Sequence, residues 1–409
     1  MAAIEKIKVS LEFNSEEIAV GELVSDEKNI YFRYFKEFIK YGLEISPIKL
    51  KINDQLNLAD SIPFEGLFGV FADSLPDGWG KLLLDRSLLA KGIDIISISV
   101  LDQLAYVGSN GMGALIYKPE IIDDNQLKFQ IELDKIARAT NRIIAGEPSS
   151  LVDELYHLGG SSGGARPKIL VGYNAITGEL VGNEKILPHE YEHWIIKFPS
   201  SFDRPDIANI EYAYYKMAVD AGIEMSDSRL FTGKSGLSYF GTKRFDRFGN
   251  NRFHMHSAAG LMHDNFRLSS MDYGHLMDCA FILEKDVRAY EKIFRIAAFN
   301  VFAHNRDDHS KNFSFLMDEK GIWKVAPAYD LTFSSSSHGL HNTSIAGESK
   351  NPTKKHLLEL GEYFKIKNAQ KIVDEVQEVV YNWNFYADQC EVSDESKKRI
   401  ERVVMEMLK

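Results

Sequence analysis

The 409-residue sequence holds only two cysteines, Cys279 and Cys390, and neither sits in a CxxC or other zinc-ligand spacing. That excludes a disulfide framework and a structural zinc site, and points to a reducing, cytoplasmic setting. No apolar run is long enough to cross a bilayer. The opening MAAIEKIKVSLEF lacks a basic segment followed by an apolar one, so no signal peptide is expected and the membrane is not an expected partner. Internal repeats and long low-complexity tracts are absent. Positive charge is not in excess: the net charge is -11, which argues against a surface built to hold nucleic acid by itself. Neither a Walker A sequence nor a G-x-G-x-x-G motif occurs where glycines cluster.

What is present is a globular chain, 44% hydrophobic and 26% charged, large enough for two or three domains. The first forty residues or so alternate as strands do, with Ile7, Val9, Leu11 and Phe13 on one face. In FADSLPDGWGKLLLDRSLLAKG (Phe71 to Gly92), Pro76 and Gly78 mark a turn. Asp77 stands where a helix cap is expected, Trp79, Leu82, Leu83 and Ala90 form a stripe, and Gly92 ends it. A helix is predicted over 131–145. Ile169 to Tyr173 and Glu179 to Val181 read as a hairpin turning at Thr177-Gly178. Trp194 to Phe198 and Leu237 to Phe245 read as strands, and Ile207 to Ala221 as a helix. Beyond about residue 250 helices dominate, and Tyr290, Ile293, Phe294, Ala297 and Val301 form an apolar stripe. The pattern is α+β: a small N-terminal subdomain mixing helix and strand, then strands with a helix, then a helix-rich half. The expected boundaries are 1–115, 116–248 and 249–409.

The densest polar segment is HNRDDHSKN, His304 to Asn312, at the end of that helix. Asp307 and Asn312 have the spacing that kinases use for a base and a magnesium ligand. Lys311 can neutralise charge on a transferred phosphoryl group. The plain alternative is a solvated polar loop. Asp330, in APAYDLTFS, follows a short apolar stretch and suits either a second magnesium ligand or a turn. LGGSSGGARPK (Leu158 to Lys168) can bring backbone N–H groups to phosphate oxygens, or be a flexible loop. Lys197, in a strand, can reach phosphates and pair with a helical Glu such as Glu211. TKRFDR (Thr242 to Arg247) is either an adenine-binding edge or a strand of alternating charge. His254, His256 and His263 fit no standard zinc pattern, which favours packing or capping. Ser334 to Ser337 reads as a loop.

Together, GGSSGGARPK, HWIIKFPS, YFGTKRFDR, NRDDHSKNFSF and APAYDL, in this order, resemble the HipA family of toxin kinases over nearly the whole chain. The resemblance implies a two-lobed, protein-kinase-like core with a small N-terminal α/β subdomain and a helix-rich C-terminal lobe. It implies ATP and Mg2+ as cofactors and transfer to a serine or threonine of a protein, such as an aminoacyl-tRNA synthetase or another translation factor. Asp307 is then the base, with His309 and Lys311 in the same signature loop, and Asn312 and Asp330 hold the metal. Gly163, Gly164, Ala165, Lys168 and Lys197 contact ATP phosphates, and Lys243, Arg244 and Phe245 form the adenine hinge. Ser161 or Ser162 is the autophosphorylated serine. The implied partner is a HipB-like helix-turn-helix antitoxin, with DNA contacted only through it. One departure is Asp308, where Gly often follows the catalytic Asp; it makes Asp308 a rival base, one residue short in its spacing to Asn312. Competing readings are a non-toxic kinase, a catalytically silent co-repressor subunit, and a metal-dependent phosphohydrolase built on His304, Asp307, Asp308 and His309.

Overall fold

A computed structural model describes residues 4–26, 28–121, 131–160, 163–201, 203–336 and 339–408. The chain divides into two compact units. The first comprises Met1–Asp203, Phe231–His256 and Leu316–Ile322; the second comprises Arg204–Leu230, Ser257–Phe315 and Trp323–Lys409.

Two larger sheets lie in the first unit, beside a two-stranded ribbon of Arg247–Phe248 and Asn251–Arg252. Strands β1 (Lys6–Phe13), β2 (Glu16–Ser25), β3 (Ile30–Tyr34), β4 (Asn57–Leu58) and β5 (Leu115–Lys118) run antiparallel in the order β4-β3-β2-β1-β5. Ile7, Val9, Leu11 and Phe13 are buried, as their alternation requires. The other face of β1 is buried too after the register shift at Val9/Ser10, because Glu12 meets Lys185 at 2.7 Å and Arg252 at 3.6 Å. Four consecutive strands of the five-stranded second sheet are β6 (Lys168–Tyr173), β7 (Leu180–Gly182), β8 (Glu192–Lys197) and β9 (Ser238–Lys243), in the order β7-β6-β8-β9. The predicted hairpin is β6–β7, with Tyr173 opposite Leu180.

The core of this second sheet includes Ile169, Val171, Trp194 and Ile196. Helix Leu133–Ile144 covers it with Ile136 and Ile143, and helix Val152–Gly159 with Leu155 and Leu158. Helix Gly78–Ala90 adds Trp79 and Leu83 to the same core. Its buried stripe runs through Trp79, Leu83, Leu84 and Leu88; Leu82 is only half-buried and Ala90 is exposed, which corrects the expected stripe.

Helix Arg288–Phe302 is the axis of the second unit. Ile293, Phe294, Ala297 and Val301 are fully buried, while Tyr290, at the edge of the stripe, stacks on Phe281. Fully burying an isoleucine, phenylalanine or valine side chain such as these contributes about 1.5–3 kcal/mol. The C-terminal end of this helix is therefore a rigid platform. Tyr214 Oη, from helix Ile207–Asp220, donates to the Ala303 carbonyl at 2.7 Å and fixes the point where the chain leaves it.

Candidate functional site

In the second unit, His304 turns the chain with φ +55, and its ring stacks on Phe333 at 5.3 Å. Burial, with Arg306 and His341 nearby, pushes its imidazole pKa down to about 4, so the ring is neutral near pH 7. The loop then pairs with the segment that follows Asp330. Arg306 N–H donates to Ser334 O at 2.9 Å, and Ser334 N–H to His304 O at 3.1 Å. Ser334 is thus fixed, whereas Ser337 lies outside the described residues.

Asp307, Asn312 and Asp330 line one cavity, with Ser314, Ala326, Pro327 and Tyr329 among its walls. Asn312 Nδ2 donates to Asp307 O at 2.8 Å, which turns the Asn312 carbonyl oxygen away as an available ligand atom. Asp330 is half-buried in the left-handed backbone region, at φ +55. That conformation is uncommon outside glycine and is tolerated best by Asn and Asp. Tyr329 Oη donates to Lys311 O at 2.6 Å and joins the two acidic segments. The Asp330 carboxylate and the Asn312 amide oxygen are hard oxygen donors of the kind magnesium takes. His309 Nε2 lies 3.9 Å from Asp307 Oδ1, and Lys311 Nζ lies 4.6 Å from the centre of the Phe266 ring.

Asp307 and Asp308 have opposite surroundings. The Asp307 side chain is 56% exposed; that of Asp308 is 0% exposed. Asp308 Oδ2 accepts from Tyr273 Oη at 3.0 Å and from His341 Nδ1 at 2.8 Å, and Oδ1 accepts from the N–H groups of Asn342 and Thr343. The Asp308 carboxylate is thus enclosed and fully bonded, although the residue also lines the same cavity as Asp307. Of the four hydrolase candidates, Asp307 and Asp308 line the cavity, and His304 and His309 are not among its lining residues.

In the first unit, the N–H of Gly164 donates to the Asp77 carboxylate, and Trp79 N–H donates to Gly164 O at 3.0 Å. Asp77 occupies the cap position but makes no capping bond, a correction to the expected helix cap. Gly163, Gly164 and Ala165 follow at the surface, and Ser161 and Ser162 lie outside the described residues. Lys168 and Lys197 are directly opposite in the β6–β8 ladder and both are buried. Lys197 Nζ lies 5.5 Å from the centre of the Phe240 ring. In the second unit, Glu211 is buried.

The TKRFDR segment has two characters. Lys243 pairs with Glu192 at 2.5 Å and Phe245 is half-buried. Arg244 and Arg247 are buried around Asp246, which accepts from Arg244 Nη2 at 2.7 Å, Arg247 Nη1 at 2.6 Å and Gly113 N–H at 2.7 Å. Burial alone would raise the Asp246 pKa, but the two guanidinium groups hold the carboxyl well below its usual range. The Arg244 side chain is committed to this cluster. His254 bonds Ile45 O at 2.8 Å, His256 bonds Asp73 at 2.6 Å and Ser46 at 3.0 Å, and His263 is the left-handed cap of helix Ala258–Met262. Sequence reasoning missed Tyr273, Asn300 and His341, which carry no motif.

The fold and the cavity define a two-unit α+β protein with a carboxylate-and-amide site in its helical unit. The chain belongs to the HipA family: residues 160–383 match the HipA-like C-terminal domain and residues 11–118 the HipA N-terminal domain. It is similar to HipA of Shewanella oneidensis MR-1, solved in complex with HipB and operator DNA in a toxin–antitoxin system. That match has a TM-score of 0.67 and 17% identity, covering 98% of this chain and 95% of that one. The Helicobacter pylori proinflammatory kinase CtkA matches at a TM-score of 0.36 and 14% identity, over 53% of this chain and 86% of that one, which is too slight to bear on function. No curated protein sequence matches the chain. Among the described residues, no helix is long and apolar enough to cross a membrane.

Proposed function

We propose that this chain is an ATP-dependent serine/threonine kinase and the toxin of a toxin–antitoxin pair. The observation that carries the reading is the convergence of Asp307, Asn312 and Asp330 on one cavity, with the Asn312 carbonyl turned away from the loop. Asp307, exposed on a fixed backbone, accepts the proton of the attacking hydroxyl. Asn312 Oδ1 and the Asp330 carboxylate are the atoms that would hold magnesium, which when bound neutralises phosphate charge. Lys311 and His309 flank the base. Lys168 and Lys197, paired in the ladder beneath Gly163, Gly164 and Ala165, fit the phosphates, and the backbone of Lys243 to Phe245 fits adenine. The regions 1–115, 116–248 and 249–409 act as N-terminal subdomain, N-lobe and C-lobe.

The partner in this reading is a HipB-like antitoxin that supplies the DNA contacts, as the net charge of -11 favours. A protein of the translation apparatus is the substrate, the setting is cytoplasmic, and Ser161 or Ser162 is the self-modified serine. The test is incubation of the parent and Asp307→Asn with ATP and magnesium, followed by intact mass and peptide mapping. Phosphate on the parent, with a rate on the order of 100- to 10,000-fold lower in the variant, is expected for loss of a general base. Equal rates would remove Asp307 from that role, and no phosphate on either protein would count against kinase activity.

A further inference from the structure

Three consecutive main-chain carbonyls of the acidic loop are each held by a side chain. Arg306 O accepts from Asn342 Nδ2 at 2.9 Å, Asp307 O from Asn312 Nδ2 at 2.8 Å, and Asp308 O from Thr343 Oγ1 at 2.5 Å. The Asp308 side chain adds its bonds to Tyr273, His341, Asn342 and Thr343. The network extends further back. Tyr273 Oη accepts from Asn300 Nδ2 at 2.8 Å, and Asn300 Oδ1 accepts from Asn305 Nδ2 at 2.9 Å. The loop is therefore tied to helix Arg288–Phe302, to helix Tyr273–Glu284 and to the segment 341–343. Asn342 Nδ2 also comes within 3.5 Å of Asp307 Oδ1.

A buried carboxylate is costly unless every lone pair is used. Here the donors come from residues up to 35 positions away and converge on a side chain that a glycine at the same position would not offer. The consequence is geometric. The backbone on both sides of Asp307 is fixed, and its own carboxylate is left exposed. We propose that Asp308 is a positioning residue, holding Asp307 for proton acceptance through Tyr273 and Thr343. This rests on the kinase reading.

The test uses the full chain with Tyr273→Phe, Thr343→Val and Thr343→Ser. Tyr273→Phe removes one hydroxyl and keeps the ring, which packs edge-on against Phe313 at 5.7 Å. Thr343→Val removes the other hydroxyl at similar shape, and Thr343→Ser keeps it. The readout is self-phosphorylation rate against ATP concentration, with hydrogen–deuterium exchange over residues 305–310. Small misplacement of a reacting group can cost up to about 100-fold. The expected result is a maximal rate reduced by roughly 10- to 100-fold in Tyr273→Phe and Thr343→Val, with half-saturating ATP within about twofold of the parent. Exchange in the loop should be faster in both, and Thr343→Ser should recover the parent rate. Unchanged maximal rates in both variants, or a loss that appears only as weaker ATP saturation, would overturn the proposal while the kinase reading stands. A parent that transfers no phosphate would bring down the kinase reading and the proposal together, and it is told apart because the variants then have no rate to compare.

Discussion

At the residue scale, burial decides what each charge does. Asp246 carries a full set of hydrogen bonds from two buried arginines and a backbone N–H, so it belongs to the core. Removing one partner of a buried ion cluster leaves the others uncompensated, at a cost of about 3–5 kcal/mol. Asp246→Ala should lower the stability of the first unit by about that amount in urea titration. A loss below about 1 kcal/mol would mean that the two arginines find water or another anion. The sequence could not separate this carboxylate from Asp307. Both lie next to an arginine in polar segments, and only the chain around Gly111 and Gly113, more than a hundred residues away, encloses Asp246. Asp307 and Asn312 were legible because their signal is local: residue type and a short spacing. The Asp308 partners Tyr273 and His341 follow no spacing rule.

At the scale of elements, helix and strand positions were largely readable because periodicity is local, while the use of their ends was not. Asp77 stands at a cap position, yet its carboxylate serves Gly164, 87 residues away. The helix N-terminus lies against the glycine loop so closely that side chains do not fit. A Cβ on Gly80 would come within 2.0 Å of Gly160 O, and one on Gly78 within 2.5 Å of Gly164 O. Gly78 also has φ +44, which strains any other residue. Both obstacles are backbone atoms, which cannot swing aside as a flexible side chain would. Gly80→Ala should therefore destabilise the first unit by about 1–3 kcal/mol, although alanine is the better helix former. Under the kinase reading it should also raise half-saturating ATP, because the glycine loop must shift. Thermal unfolding and ATP titration of the variant check both, and an unaltered or raised melting temperature would show that the loop yields without cost.

At the scale of the whole molecule, buried neutral histidines tie stability to pH. Burial lowers the His254 pKa to about 3, and burial with Arg244 and Arg247 lowers that of His193 to about 4; both belong to the first unit. His304, in the second unit, is lowered to about 4. An unfolded histidine titrates near 6.5. Between that value and the folded pKa, the unfolded chain binds a proton that the folded chain does not. Stability is thus complete above about pH 6.5 and falls as the pH drops toward 4, by roughly 1.4 kcal/mol per pH unit for each such histidine. Asp246, held below its usual range, contributes its stability above the unfolded carboxylate value of about 3.9 and begins to lose it only near and below that value, mostly beneath this window. Urea unfolding of the parent at intervals from pH 7.5 to 4.5 should show this decline, and His254→Asn should remove about one proton's share of the slope in the first unit. The variant also loses the bond to Ile45 O, so the slope, not the absolute stability, is the measure. A parent whose stability is flat across the window would mean that these rings gain protons without unfolding, which their burial argues against.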